Sequence, residues 1–99
     1  MRLTPAARDI IRNSTQAVFG TDSQVKLFGS RTDDHQRGGD IDLLVELPRP
    51  LPDTRRKSLT LAARLQMQLG DQPIDILVVD PETPMEAIHR HAVATGVRL

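Results

Sequence analysis

The spacing of apolar side chains divides the sequence into six segments, which glycine and proline residues separate. Three segments repeat apolar residues every three to four positions, as a helix does, and three show the alternating or continuous apolar character of strands. The predicted elements, in chain order, are a helix from Thr4-Pro5 to Gly20, a strand at 24–28, a strand at 40–47, a helix from Asp53 or Thr54 to about Leu69, a strand at 73–79 and a helix from Thr83-Pro84 to near Gly96.

This order of elements predicts an α/β (α+β) fold with a small mixed sheet. The first two strands follow each other along the chain, and the third returns after a helical crossover. The helices are therefore expected to pack on one face of the sheet. The 99 residues contain no repeat, low-complexity tract or shift in composition that separates two units. We therefore expect residues 1–99 to form a single domain.

The composition argues against several classes of protein. The chain has 13 basic and 13 acidic residues and two aromatic ones, Phe19 and Phe28, so direct nucleic-acid binding is not expected. The absence of cysteine excludes disulfides and thiolate metal sites. No apolar run approaches the ~20 residues of a membrane span, and the first residues do not resemble a signal peptide. The expectation is a cytoplasmic protein without membrane contact.

Three aspartates occupy positions at which an acidic residue needs a partner. Asp40 and Asp42 are two apart in a predicted strand, so both side chains are expected to point to one face, where their like charges repel. Asp75 interrupts the apolar strand at 73–79, where a buried carboxylate without a partner is unfavourable. If the strand faces adjoin, the three carboxylates converge. They then suit two Mg²⁺ ions that stabilise the attacking and leaving oxygens of an in-line displacement.

A glycine and a serine follow the first predicted strand directly. Gly29 allows the backbone to approach a phosphate closely, and Ser30 offers a hydroxyl and an amide. Arg31 adds a positive charge to the same loop. These three residues are the predicted contacts to the phosphates of a nucleotide. A turn-capping serine and a solvated arginine are the alternative interpretations.

The sequence Gly29-Ser30, nine further residues and then Asp40-Ile41-Asp42-Leu43-Leu44-Val45 resembles the signature of the DNA polymerase β-like nucleotidyltransferase superfamily. The chain length and residues 92–99 resemble the smallest branch of that superfamily, the minimal nucleotidyltransferases. The resemblance covers residues 25–99. It implies a palm-like sheet and two Mg²⁺ ions held by Asp40, Asp42 and Asp75. It also implies transfer of a nucleoside monophosphate with release of pyrophosphate.

Members of this branch often act as the antitoxin paired with an HEPN-type ribonuclease toxin. The resemblance therefore implies transfer of AMP from ATP to a tyrosine of a partner toxin, within a hetero-oligomer. Two alternatives stay open. One is an antitoxin that neutralises its partner by binding, which the short and acidic segment 31–39 favours. The other is a nucleotide-transferring subunit that acts on a small molecule. The sequence does not specify the base, because no aromatic side chain is placed to stack on it.

Other polar and apolar residues are expected to have structural or surface roles. Asp80 is a rival third acid, but its place before a proline is explained by a turn at the strand end. Glu46 shares the face of Asp42 and is expected to be exposed. The basic run 55–57 indicates a solvated helix start, or a patch that contacts a partner or substrate. Met67 is expected to fill the core or an interface.

Overall fold

The computed structural model describes residues 3–29 and 40–99. The described residues form, in chain order, α1 (Pro5–Phe19), β1 (Gln24–Phe28), β2 (Ile41–Glu46), α2 (Thr54–Leu69), β3 (Ile74–Val79), α3 (Ala87–Thr95) and β4 (Val97–Arg98). The first six elements match the predicted order, and the two-residue strand β4 is additional. None of these helices combines the length and the apolar character that a bilayer crossing requires.

The strands form one mixed sheet with the order β3-β2-β1-β4. β1 runs antiparallel to both β2 and β4. β2 and β3 are parallel, because α2 carries the chain back to the end of the sheet at which β2 begins. The predicted mixed sheet with a helical crossover is confirmed. Side chains alternate along β2, so Ile41, Leu43 and Val45 are buried on one face and Asp42 points to the other.

Helices α1 and α2 cover the face of the sheet on which the larger apolar core forms. Ile11 of α1 and Leu61 of α2 are fully buried there. α3 lies against the opposite face, where Ala92 is buried with Phe28 and Leu44. The expectation of helices on one face therefore holds for α1 and α2, whereas α3 covers the apolar positions that the alternation of β1 and β2 leaves on the other face.

The start of α1 agrees with the prediction, whereas the start of α3 differs from it. Thr4 caps α1 as predicted, because its hydroxyl accepts a hydrogen bond from the backbone N–H of Ala7 at 3.1 Å. α3 begins at Ala87, later than predicted. The hydroxyl of Thr83 accepts a hydrogen bond from the backbone N–H of Asp80 at 2.9 Å and so closes the turn after β3. That hydroxyl is therefore not a helix cap.

Candidate functional site

The parallel pairing of β2 and β3 places two carboxylates side by side. Asp42 and Asp75 are register partners, so both side chains point to the same face of the sheet. They lie close enough to share a hydrogen bond. Asp40 lies two residues before Asp42, immediately before β2, and is exposed. All three aspartates therefore lie at the end of the sheet where β2 and β3 begin, and Asp42 and Asp75 are the pair in contact.

The Asp42 carboxyl lies in an unfavourable environment for a negative charge. Partial burial raises the pKa of Asp42 above its ordinary value of 3.8, and the charges of Asp75 and Asp40 raise it further, as does the hydrogen bond with Asp75. The Asp42 side chain is half-buried, whereas Asp40 and Asp75 are exposed. A raised pKa means that the folded protein holds the proton of Asp42 more tightly than the unfolded chain does. A cation beside Asp42 would favour the ionised form instead.

Gly29 follows β1 and lies against the Asp42 carboxylate. Its φ of +78° falls in the left-handed region that glycine adopts readily. A Cβ added to Gly29 would overlap Oδ2 of Asp42. The β1–β2 pairing brings the two together, since Phe28 is the register partner of Asp42. The sequence indicated a glycine for close approach to a phosphate, and the structure adds a second reason, which is close approach to a site carboxylate.

The same face of the sheet is closed beyond the carboxylates by α3 and by an ion pair. Lys26 Nζ lies 2.9 Å from Glu46 Oε1, and both side chains are mostly buried. The expectation that Glu46 is exposed is wrong. Its partner is contributed by β1, and the register places Gln24 opposite Glu46 and therefore Lys26 diagonally next to it. The accessible part of this face is consequently the end that holds the aspartates.

The remaining predicted site residues have different outcomes. Ser30 and Arg31 lie outside the described residues, so their contacts to a nucleotide stay predictions. Asp80 is a turn residue, as predicted. Its carboxylate accepts a hydrogen bond from the backbone N–H of Glu82 at 2.7 Å, in the turn after β3. Asp75 lies at the other end of that strand.

Asp42 and Asp75 could hold a metal ion only together with ligands that a substrate supplies. Within residues 3–29 and 40–99, no group of three or more acidic, histidine or cysteine side chains is arranged to hold a metal ion by itself. A charge acts on its neighbour over a longer distance than a metal–ligand bond spans. The charges of Asp75 and Asp40 can therefore raise the pKa of Asp42 although the three carboxylates are too far apart to bind one ion. Mg²⁺ is usually bound by one or two carboxylates together with substrate phosphates. Asp42 and Asp75 supply that pair of hard oxygen donors.

Comparison with known proteins agrees with this geometry. A family model described as a nucleotidyltransferase domain matches residues 8–95, which include all three aspartates, Gly29 and every element from most of α1 to α3. No curated protein matches the chain. The family match supports nucleotidyl transfer as the class of reaction. On this sequence and fold, the chain belongs to the nucleotidyltransferase domain family.

Proposed function

We propose that this domain transfers AMP from ATP to a tyrosine hydroxyl of a partner protein, an HEPN-type toxin, and so acts as an antitoxin. The observation that carries the proposal is the register pair Asp42 and Asp75 at the open end of a sheet face, beside Asp40 and Gly29. Family membership gives the reaction class. The nucleotide, the acceptor, the metal and the antitoxin role are the proposed parts.

The proposed step is an in-line displacement at phosphorus. The acceptor oxygen forms a bond to the α-phosphorus of ATP, the bond from that phosphorus to the pyrophosphate oxygen breaks, and the acceptor proton passes to a carboxylate. Asp75 is assigned this role because it is exposed and adjoins Asp42. Asp42 and Asp75, with Asp40 beside them, would hold Mg²⁺ together with the phosphates of ATP, and the ion would supply positive charge for the attacking and leaving oxygens. Because Gly29 has no Cβ, the Asp42 carboxylate can occupy its position against the end of β1.

The exposure of the site favours an acceptor on a macromolecule. Asp40 and Asp75 are exposed at the edge of a domain of 99 residues, a size that buries a limited fraction of its surface. Small-molecule substrates are usually held in a cavity that covers most of their surface. A side chain presented by a partner protein arrives with its own supporting surface. A protein hydroxyl therefore fits this site better than a free small molecule does.

The test is transfer of a radioactive label to the partner. The purified domain is incubated with Mg²⁺, the protein encoded by the adjacent gene and each of the four nucleoside triphosphates labelled at the α-phosphate. ATP is expected to label the partner, whereas ATP labelled at the γ-phosphate is expected to leave it unlabelled, because pyrophosphate departs. Asp42→Asn is expected to abolish transfer. Asp9→Asn is the matched control, because Asp9 lies on α1 in an exposed ion pair and transfer should persist.

The other outcomes separate the alternatives. A stable complex without label transfer would refute AMP transfer and support an antitoxin that acts by binding. The sequence feature that favours this second function is the pair Asp33 and Asp34 in the segment after Ser30, because additional carboxylates repel a triphosphate. Transfer to a small molecule in the presence of the partner would support the third function. Transfer from another triphosphate would keep the reaction class and refute the choice of ATP.

A further inference from the structure

Helix α2 exposes an apolar stripe on the side that faces away from the sheet. Leu59, Ala63 and Met67 are spaced by four residues, so they share this side of the helix over about 12 Å. Leu59 is 67% exposed and Met67 is 88% exposed, the two highest values among the large apolar side chains of the described residues. Met67 is therefore not a core residue. Of the two roles that the sequence predicted for it, core or interface, only the interface is left.

Positive charge surrounds this stripe. Four of the chain's 13 basic residues and none of its 13 acidic residues lie in α2, so the rest of the chain carries a net charge of −4. Arg55 and Arg56 lie in the first turn, where the helix dipole disfavours cations, and Arg64 flanks the stripe. In the part of the chain that the structure describes, no ion pair joins these three arginines to an acid. Their guanidinium groups are therefore available to carboxylates of another molecule.

A groove of about 420 Å³ runs beside the stripe, between α1 and α2. Ala17 and Val18 line it on the α1 side. On the α2 side it is lined by Arg56, Lys57, Thr60 and Arg64, together with Asp53 at the start of the helix. The groove offers apolar surface and a net positive charge to a side chain that enters from solvent, because three cations and one carboxylate line it. The stripe and the groove together form one continuous surface, which we call the α2 face.

The α2 face ends close to the carboxylates without covering them. Gln68 and Leu69, which directly follow Met67, line a hollow together with Ile41. Ile41 in turn stands between the two aspartates that flank it in sequence, Asp40 and Asp42. α2 packs on the opposite face of the sheet from the carboxylates. A partner lying along α2 therefore reaches the carboxylate edge while the site stays open.

We propose that the α2 face docks a partner protein through an amphipathic helix that carries apolar and acidic side chains. The apolar side chains cover Leu59 and Met67, and the carboxylates pair with Arg55, Arg56 and Arg64. A symmetric dimer through this face would oppose like charges, which disfavours a second copy of the chain. The inference rests on the proposed function in one respect, because the docked partner is also the protein that presents the acceptor hydroxyl.

The test measures the dissociation constant of the complex with the protein encoded by the adjacent gene, by titration calorimetry. Leu59→Asp, Met67→Asp and Arg56→Glu are each expected to weaken binding at least about tenfold, as substitutions at the centre of an interface do. Ile88→Asp is the matched control, since Ile88 is a large apolar residue of α3 that is 54% exposed, and its affinity should equal that of the wild type. Thermal melts of the variants are expected to match that of the wild type, because substitutions at exposed positions usually change stability little.

Asp42→Asn separates the docking surface from the chemistry. It is expected to stop nucleotidyl transfer and to leave the dissociation constant unchanged. An α2-dependent complex without transfer by the wild type refutes the enzymatic function alone. If the wild type transfers the nucleotide but the α2 variants bind the partner as tightly as the wild type, the docking proposal alone is refuted. The docking proposal is also refuted if no complex forms.

Two further results would assign the α2 face to a different occupant and overturn the proposal. The first is self-association of the domain by itself, measured by light scattering, that Met67→Asp removes. The second is binding of a labelled single-stranded RNA that Arg56→Glu removes and Leu59→Asp retains. The expected result is a monomer in isolation and no RNA binding.

Discussion

Replacing Gly29 by alanine tests how the chain holds the Asp42 carboxylate. The new Cβ would sit on a backbone with φ of +78° and overlap Oδ2 of Asp42, so the carboxylate or the end of β1 has to move. Gly70 provides a matched control. It has φ of +93°, and a Cβ added there would meet nothing within 4 Å. Gly70→Ala therefore introduces the backbone strain without the overlap.

The two variants should differ in size and kind of effect. A positive-φ backbone of the kind at Gly70 costs about 1–3 kcal/mol for a residue with a Cβ. In a domain of this length, 1 kcal/mol lowers Tm by about 4–8 °C. Gly70→Ala is expected to show this loss alone. Gly29→Ala is expected to lose at least as much stability. It should also lower the rate of nucleotidyl transfer about 100-fold, because a displacement of about 1 Å in a reacting geometry has that effect.

The assays are thermal unfolding followed by circular dichroism and the initial rate of label transfer from ATP. Gly70→Ala should retain the wild-type rate at a temperature well below its Tm. Equal transfer rates for the two alanine variants would refute the claim that Gly29 positions Asp42. The rates should also be compared at the same number of degrees below the Tm of each variant. If the rate loss of Gly29→Ala disappears in that comparison, the loss reflects stability and the claim is refuted as well.

Further substitutions test the charge cluster and the fold. Asp42→Asn is expected to raise Tm in metal-free buffer near neutral pH. Because its pKa is raised in the folded state, ionisation of Asp42 lowers the stability of the wild type as pH rises above 3.8. Melts at a series of pH values should therefore show that the Tm gain of Asp42→Asn disappears in acid. Thr4→Ala should lower the free energy of unfolding by about 1 kcal/mol, measured with denaturant, and no change would contradict the observed cap. Leu61→Ala should cost about 2–5 kcal/mol, whereas Leu59→Ala should cost far less because Leu59 is exposed.

Local sequence signals predicted most of the fold. The bounds of α1 and β1 follow from the Thr4-Pro5 start, Gly20 and the alternation at 24–28, and the structure agrees with them. β4 was not predicted, because its two residues become a strand only by pairing with β1, which lies about 70 residues earlier in the chain. The side of the sheet that α3 covers depends equally on distant residues. A pattern within one segment contains neither kind of information.

The candidate site shows the same division between local and distant information. The spacing of Asp40 and Asp42 is local, and it predicts that both point to one face; the structure places Asp42 in β2 and Asp40 immediately before it. The contact of Asp42 with Asp75 depends on the register of β2 and β3, and no pattern within either strand specifies that register. The overlap between a Cβ at Gly29 and the Asp42 carboxylate depends on the β1–β2 pairing and was missed. Pairing between strands therefore supplied what the motif lacked.

The central claim is that the aspartates at the start of β2 and β3 perform nucleotidyl transfer to a partner protein. The most direct measurement is intact-mass spectrometry of the adjacent-gene protein after incubation with this domain, ATP and Mg²⁺. A mass increase equal to one AMP, present with the wild type and absent with Asp42→Asn, is the predicted result. An unchanged mass with the wild type, or an equal increase with Asp42→Asn, would contradict the claim.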